Sequence, residues 1–313
     1  MNFRKPLTAA LLSAVLVLSA CDSAEERAQK YYESGMAYLQ AGDVDRALVE
    51  FRNVFKFDGK HREARIAYAE AERKRGNMRE AYSQYLRLIE QYPDDIDGLR
   101  ALSSIAVENG QWADATPYIA KGMELAPDDE GFKSLKIFRD YGAAVEGNDS
   151  GTVVASVKAA RDLVASNPND LMARKVIIDD LIRNQSLDKA LSELNAAIEV
   201  APTERILYAQ RLSVYAAQGN DPAVEAGLID MVAKFPDAPE MQEALLRWYL
   251  ARKEYDKAEA QLRSRVDPAS KDPSAEVNLV RFLGEFRGPD AAIAELDKVI
   301  AAGQDVAVFR DAI

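Results

Sequence analysis

Two side chains in this sequence are each alone of their kind, His61 and Cys21. A zinc site of cysteines and histidines, or a Cys–His nucleophile pair, cannot be built from one of each. His61 therefore reads as a residue at a junction between helical elements rather than as a base or metal ligand. Cys21 has no second thiol with which to form a disulfide, and its place just after an apolar run suits an attachment point better than a redox group. No glycine-rich phosphate loop of either common spacing occurs. Carboxylates are abundant, but they are spread along helix faces and no pair stands out for acid–base work. Trp112 follows a turn, as Val44, Met78, Leu187 and Tyr255 do elsewhere, so it reads as a packing residue before a stacking platform. Trp248, beside Leu245 and Leu246, reads as core. The expectation is no enzyme, no metal and no cofactor, which leaves function to a surface.

The elements that would build that surface are legible from a repeat. Gly42 and Ala47, Gly76 and Ala81, and Gly110 and Ala115 each lie five residues apart, and the pairs follow one another every 34 residues. Gly59, Pro93 and Pro127 fall twelve residues after each alanine. This period, with small residues at fixed points, predicts stacked helix-turn-helix units over 28–129. Tyr31, Gly35 and Tyr38 share one face of a first helix, which Gly42 closes where a left-handed residue costs least. Asp43 can cap the second helix, on which Ala47, Phe51 and Val54 share a face. Ala47 is small because two helix backbones approach closely there.

Beyond this stretch, 130–170 is longer by seven residues and predicts two long helices, Glu130 to Glu146 and Thr152 to Ser166, joined at Gly147 to Gly151. Such a hairpin either stays in the stack or makes 142–152 a hinge. Pro168, Pro202 and Pro236 then restore the 34-residue step, and Ala190, Val224, Ala258 and Ala292 hold the close-packing position. Gly219 ends its helix, whereas Gln185 and Lys253 replace that glycine in other units. The segment 171–304 is read as four units, for eight hairpins in all. Residues 305–313 read as the start of a further helix, either a cap or the opening of a repeat in a longer protein, with the second favoured.

Tyr31, Gly35, Tyr38, Ala47 and Phe51, with Pro93 and Pro127 closing later units, resemble the tetratricopeptide repeat. The resemblance implies an all-α, right-handed solenoid whose first helices line a concave groove through positions two, five, nine, twelve and thirteen of each unit. Carried onto this sequence, those positions give Tyr32, Met36, Leu39 and Gln40, then Ile66, Glu70, Arg73 and Lys74, then Arg100, Ser104 and Val107. Repeat five adds Lys175, Asp179 and Arg183. Tyr32, Met36 and Leu39 would form an apolar patch able to accept a helix or an extended peptide, although some of these residues can instead pack against neighbouring helices. The asparagines of the chaperone-binding carboxylate clamp are missing from units one to three.

The N-terminus carries a different signal. Arg4 and Lys5 precede an apolar run from Leu7 to Leu18, too short for the roughly 20 residues of a membrane span and laid out like a secretory signal over 1–20. Leu18-Ser19-Ala20-Cys21 resembles a bacterial lipobox, which implies acylation of Cys21, with an incidental cysteine after an ordinary signal as the alternative. Residues 21–27 then form a short tether in which Ser23 and Glu26 make a capping box. Asp22 resembles an inner-membrane retention signal, so that membrane is slightly favoured over the outer one, with the chain on the periplasmic face.

The chain carries a formal charge of −11, a poor match for nucleic acid or an anionic bilayer. Lys56 to Arg79 is locally basic, with Lys60, Arg62, Arg65, Arg73, Lys74 and Arg75 interleaved by Glu63, Glu70 and Glu72. It reads as a solvated face of i,i+4 pairs before a contact for an acidic partner. The whole chain resembles tetratricopeptide lipoproteins of envelope assembly, such as those of exopolysaccharide export with exosortase sorting and of pilus assembly. That implies a membrane-anchored scaffold for a protein partner in a Gram-negative envelope. The alternatives are a polysaccharide-binding solenoid, with Tyr32, Phe138 and Tyr141 as sugar platforms, and the N-terminal part of a longer protein bearing a catalytic domain.

Overall fold

A computed structural model describes residues 22–267, 270 and 272–301. The signal segment, Cys21 and residues 305–313 lie outside these described residues. Sixteen α-helices and no strands occur among them, so the fold is all-α as expected. The helices pair into eight hairpins, divided between two compact units that meet in sequence after Ser166.

In the first unit the hairpins are α1 (Ala24–Gln40) with α2 (Val44–Phe57), α3 (Arg62–Lys74) with α4 (Met78–Gln91), α5 (Ile96–Glu108) with α6 (Trp112–Leu125), and α7 (Glu130–Glu146) with α8 (Ser150–Ser166). The Ser23–Glu26 capping box forms, so α1 starts at once after Ser23. Gly42, Gly76 and Gly110 take φ of +79°, +81° and +69°, the left-handed conformation that turns the chain between helices. Asp43 and Asn77 cap the helices that follow. Ala47, Ala81 and Ala115 are fully buried. A Cβ on Gly35 would stand 2.6 Å from the Phe51 ring, so α1 and α2 touch where neither has room for a larger side chain. The turn at Gly147–Asp149 lies inside this unit, with Asn148 at φ +56°.

The second unit runs through α9 (Leu171–Arg183) with α10 (Leu187–Val200), α11 (Arg205–Ala217) with α12 (Asp221–Lys234), α13 (Pro239–Ala251) with α14 (Tyr255–Arg263), and α15 (Ser274–Phe286) with α16 (Pro289–Ala301). Ala190, Ala258, Ala292 and Val224 are all buried at the close-packing position. Gln185 and Lys253 adopt φ of +54° and +59°, so the turn geometry is kept where the glycine is not. Helix spacing, rather than residue type alone, sets where these turns fall.

Candidate functional site

Residues five, nine, twelve and thirteen of a unit fall on one face of its first helix. On α3 this places Ile66, Glu70, Arg73 and Lys74 in a row. The corresponding face of α5 carries Arg100 and Ser104. The two faces meet across a cleft of about 600 Å³ lined by these six residues together with Tyr85, Asp97 and Ala101. Ile66 and Ala101 supply apolar wall, while Glu70, Arg73 and Lys74 stand exposed on the rim. Tyr85 projects from α4 and is buried. Burial pushes its phenol up to about 12, with the Glu70 carboxylate adding to the rise and Arg73 opposing it. Arg100 is committed to the next hairpin. Its Nη2 donates to Asp129 at 2.7 Å, and its guanidinium lies 5.1 Å from the Phe132 ring centroid. It therefore forms one end wall of the cleft and fixes α5 against α7.

The remaining expected groove residues go elsewhere. Val107 is 1% exposed and belongs to the core, not to the groove. Tyr32, Met36 and Leu39 are half-buried against the core of the first hairpin, with the Tyr32 ring 6.2 Å from Phe51 and 5.0 Å from His61. They are packing residues of α1, and only Gln40 of that set is exposed. Lys175 and Asp179 sit on α9 of the second unit, where Asp179 pairs with Arg183 at 2.6 Å. They contribute nothing to the α3–α5 cleft.

The basic stretch is solvated in large part, with Lys60, Arg73, Lys74 and Arg75 exposed, but two of its members are buried. Arg65 is buried: Nη1 donates to Gln84, Nη2 donates to the Gly59 carbonyl, and the guanidinium covers Phe55. Glu72 is buried as well and accepts from Asn77. Arg62 reaches Asp95 and Asp97, and Arg75 reaches Asp45. These pairs join different hairpins instead of running i,i+4 along one helix.

His61 caps α3, its Nδ1 accepting from the Ala64 N–H at 3.3 Å. Trp112 packs over Gly142, whose added Cβ would lie 2.3 Å from the indole, and its Nε1 donates to Glu146. Trp248 is half-buried under the Arg252 guanidinium. Tyr141 is 5% exposed, and Phe138 lies tilted against Trp112. The three aromatics considered as sugar platforms are thus taken up by internal packing. Among the described residues no group of three His, Cys, Asp or Glu is placed to hold a metal ion. None of their helices is long and apolar enough to cross a membrane.

Sequence reasoning missed Asp97, Ala101 and Tyr85. Tyr85 follows Ala81 as Phe51 follows Ala47, a pattern that signals core and gives no sign of a cleft floor.

A tetratricopeptide repeat family model matches residues 38–105, the stretch that contains the cleft-forming helices. Curated proteins give no significant match. Solved structures do. A tetratricopeptide repeat protein from Parabacteroides merdae is 14% identical, with 81% of this chain and 97% of that one covered at a TM-score of 0.50. The Cut9–Hcn1 hetero-tetramer of the APC/C is 17% identical, covering 72% of this chain and 43% of that one at 0.54. The human IFIT1 dimer with m7Gppp-AAAA is 14% identical, covering 89% and 72% at 0.50. At such identities the likeness is one of fold: this chain is similar to tetratricopeptide proteins in its stacked helical hairpins, and the repeat itself is matched over residues 38–105.

Proposed function

We propose that this protein is a non-catalytic docking scaffold whose α3–α5 cleft receives a segment of a partner protein. The observation that carries the reading is the convergence of Ile66, Glu70, Arg73 and Lys74 with Arg100 and Ser104 around one open cleft. Apolar wall with charged rim is the composition of a peptide-binding groove. The N-terminal sequence supports the setting. Its likeness to a secretory signal ending in a lipobox, Leu18-Ser19-Ala20-Cys21, favours the periplasmic face of a bacterial membrane, with an acyl anchor at Cys21. More than one acyl chain makes such attachment stable. The scaffold then serves a cell-envelope assembly or export system, of the exopolysaccharide-sorting or pilus kind.

The test is in-cell photocrosslinking with a probe at Arg73 and, separately, at Ser104, both on the cleft. Arg87, exposed on α4 and outside the cleft, is the control. One discrete protein adduct from both cleft positions and none from Arg87 is expected. A partner recovered from Arg87 alone would move docking to the outer helices and overturn the reading. The anchor is tested in parallel by Cys21→Ser, which is expected to shift the protein from the membrane to the soluble fraction.

A further inference from the structure

The second unit holds a separate cleft, of about 490 Å³, in which two acceptors stand without donors. Glu276 is the third residue of α15 and is 5% exposed, and its Oε2 has no hydrogen-bond partner. A glutamate at this helical position ordinarily reaches back to the N–H of the capping residue. Here that residue is Pro273, which has no N–H to give. In six of the seven other hairpins the third residue of the first helix is Ala64, Gly98, Phe132, Ala173, Leu207 or Met241, and in α1 it is Glu26, whose carboxylate accepts from the Ser23 N–H. Unlike Glu26, Glu276 has no capping N–H to accept from, and its Oε2 is buried without a partner, which costs stability.

Gln261 lines the same cleft. Its Nε2 donates to the Gln242 carbonyl at 3.4 Å, while its buried Oε1 accepts from nothing. Asp272 adds a further carboxylate, held ionised by the Ser274 N–H and hydroxyl, which lower its pKa. Arg265 also lines the cleft but bonds to neither orphaned oxygen, so a carboxylate and an amide oxygen there still lack N–H donors. Since no grouping of carboxylates suited to a metal ion occurs among the described residues, N–H donors match the site better than a bare cation.

We propose that this cleft binds an alkylammonium or guanidinium group, with Glu276 and Gln261 as its acceptors. The group belongs either to a free amine or to a lysine or arginine of a partner protein. The site is independent of the α3–α5 cleft, so each proposal stands or falls alone.

Calorimetric titration of the full chain tests it. The probes are agmatine, a short peptide containing lysine and arginine, and tetramethylammonium as a cation without N–H. Saturable binding of agmatine or of the peptide, with no response to tetramethylammonium, is expected. Glu276→Gln should weaken that binding by about tenfold or more, because a charge-assisted bond becomes a neutral one. Glu276→Met should abolish it while raising the melting temperature of the free protein, which also verifies that the variant folds. Agmatine binding points to a free amine, and peptide binding without agmatine binding points to a partner's side chain. No saturable binding by either probe, or equal binding by wild type and Glu276→Gln, overturns the proposal.

Discussion

Tyr85 shows how one side chain can belong to core and cleft at once. It packs at the position of Phe51 in the first hairpin, yet it lines the α3–α5 cleft. Its phenol is raised to about 12, chiefly by burial, whereas a tyrosine in an unfolded chain ionises near about 10. The folded state therefore keeps its proton longer than the unfolded state does. The resulting contribution to stability is complete below the unfolded value and is lost as pH rises toward the folded one. Tyr85→Phe should then move the alkaline unfolding midpoint upward, measured by far-ultraviolet circular dichroism, and remove one late-titrating phenol from the absorbance titration. An unchanged midpoint would mean that other groups govern alkaline unfolding. Arg65 teaches the opposite lesson at the same scale. Its sequence neighbours are charged, but its partners Gln84 and Gly59 come from the next helix and the preceding turn, so no one-dimensional charge pattern could have placed it inside.

At the scale of the element, helices and turns were legible because the repeat imposes a register that survives substitution. Gln185 and Lys253 stand where Gly42, Gly76 and Gly110 stand, and they adopt the same positive φ. A residue with a Cβ pays for that conformation by roughly 1–2 kcal/mol. Lys253 is exposed, so Lys253→Gly should stabilise the protein by about 1 kcal/mol once the glycine's extra chain entropy is offset. Urea unfolding measures this, with Lys253→Ala as a control that keeps the Cβ and should bring no gain. Equal stability of all three proteins would show that the turn carries no strain. What the register did not reveal is where one hairpin meets the next. A Cβ on Gly122 would stand 2.2 Å from the Phe132 ring, a contact set by side chains on two helices. The site was half legible for the same reason. Ile66, Glu70, Arg73, Lys74, Arg100 and Ser104 stand at groove positions that the tetratricopeptide resemblance implies, whereas the fates of Val107 and Tyr32 depend on what covers them.

At the scale of the whole molecule, the main helix contacts within each compact unit join each helix to the next in sequence, with two more, α1 to α3 and α5 to α7, joining one to the next but one. In a chain wired this way stability is close to a sum of hairpin and nearest-neighbour terms, and all-or-none unfolding is not required. The two tryptophans can test this, because Trp112 lies in the first compact unit and Trp248 in the second. The perturbation should act at one end of the array. Gly35→Ala serves, since its new Cβ would lie 2.6 Å from the Phe51 ring, and overpacking of this kind costs about 1–3 kcal/mol. In a Trp248→Phe background, Trp112 fluorescence should report a clearly lower urea midpoint when Gly35→Ala is added. In a Trp112→Phe background, Trp248 fluorescence should report a smaller shift from the same substitution. Unequal shifts follow from local wiring, because α1 and α2 belong to the same compact unit as Trp112 and to a different one from Trp248. Equal shifts from both reporters would mean that the chain unfolds as one cooperative body, and the nearest-neighbour account of its stability would have to be given up.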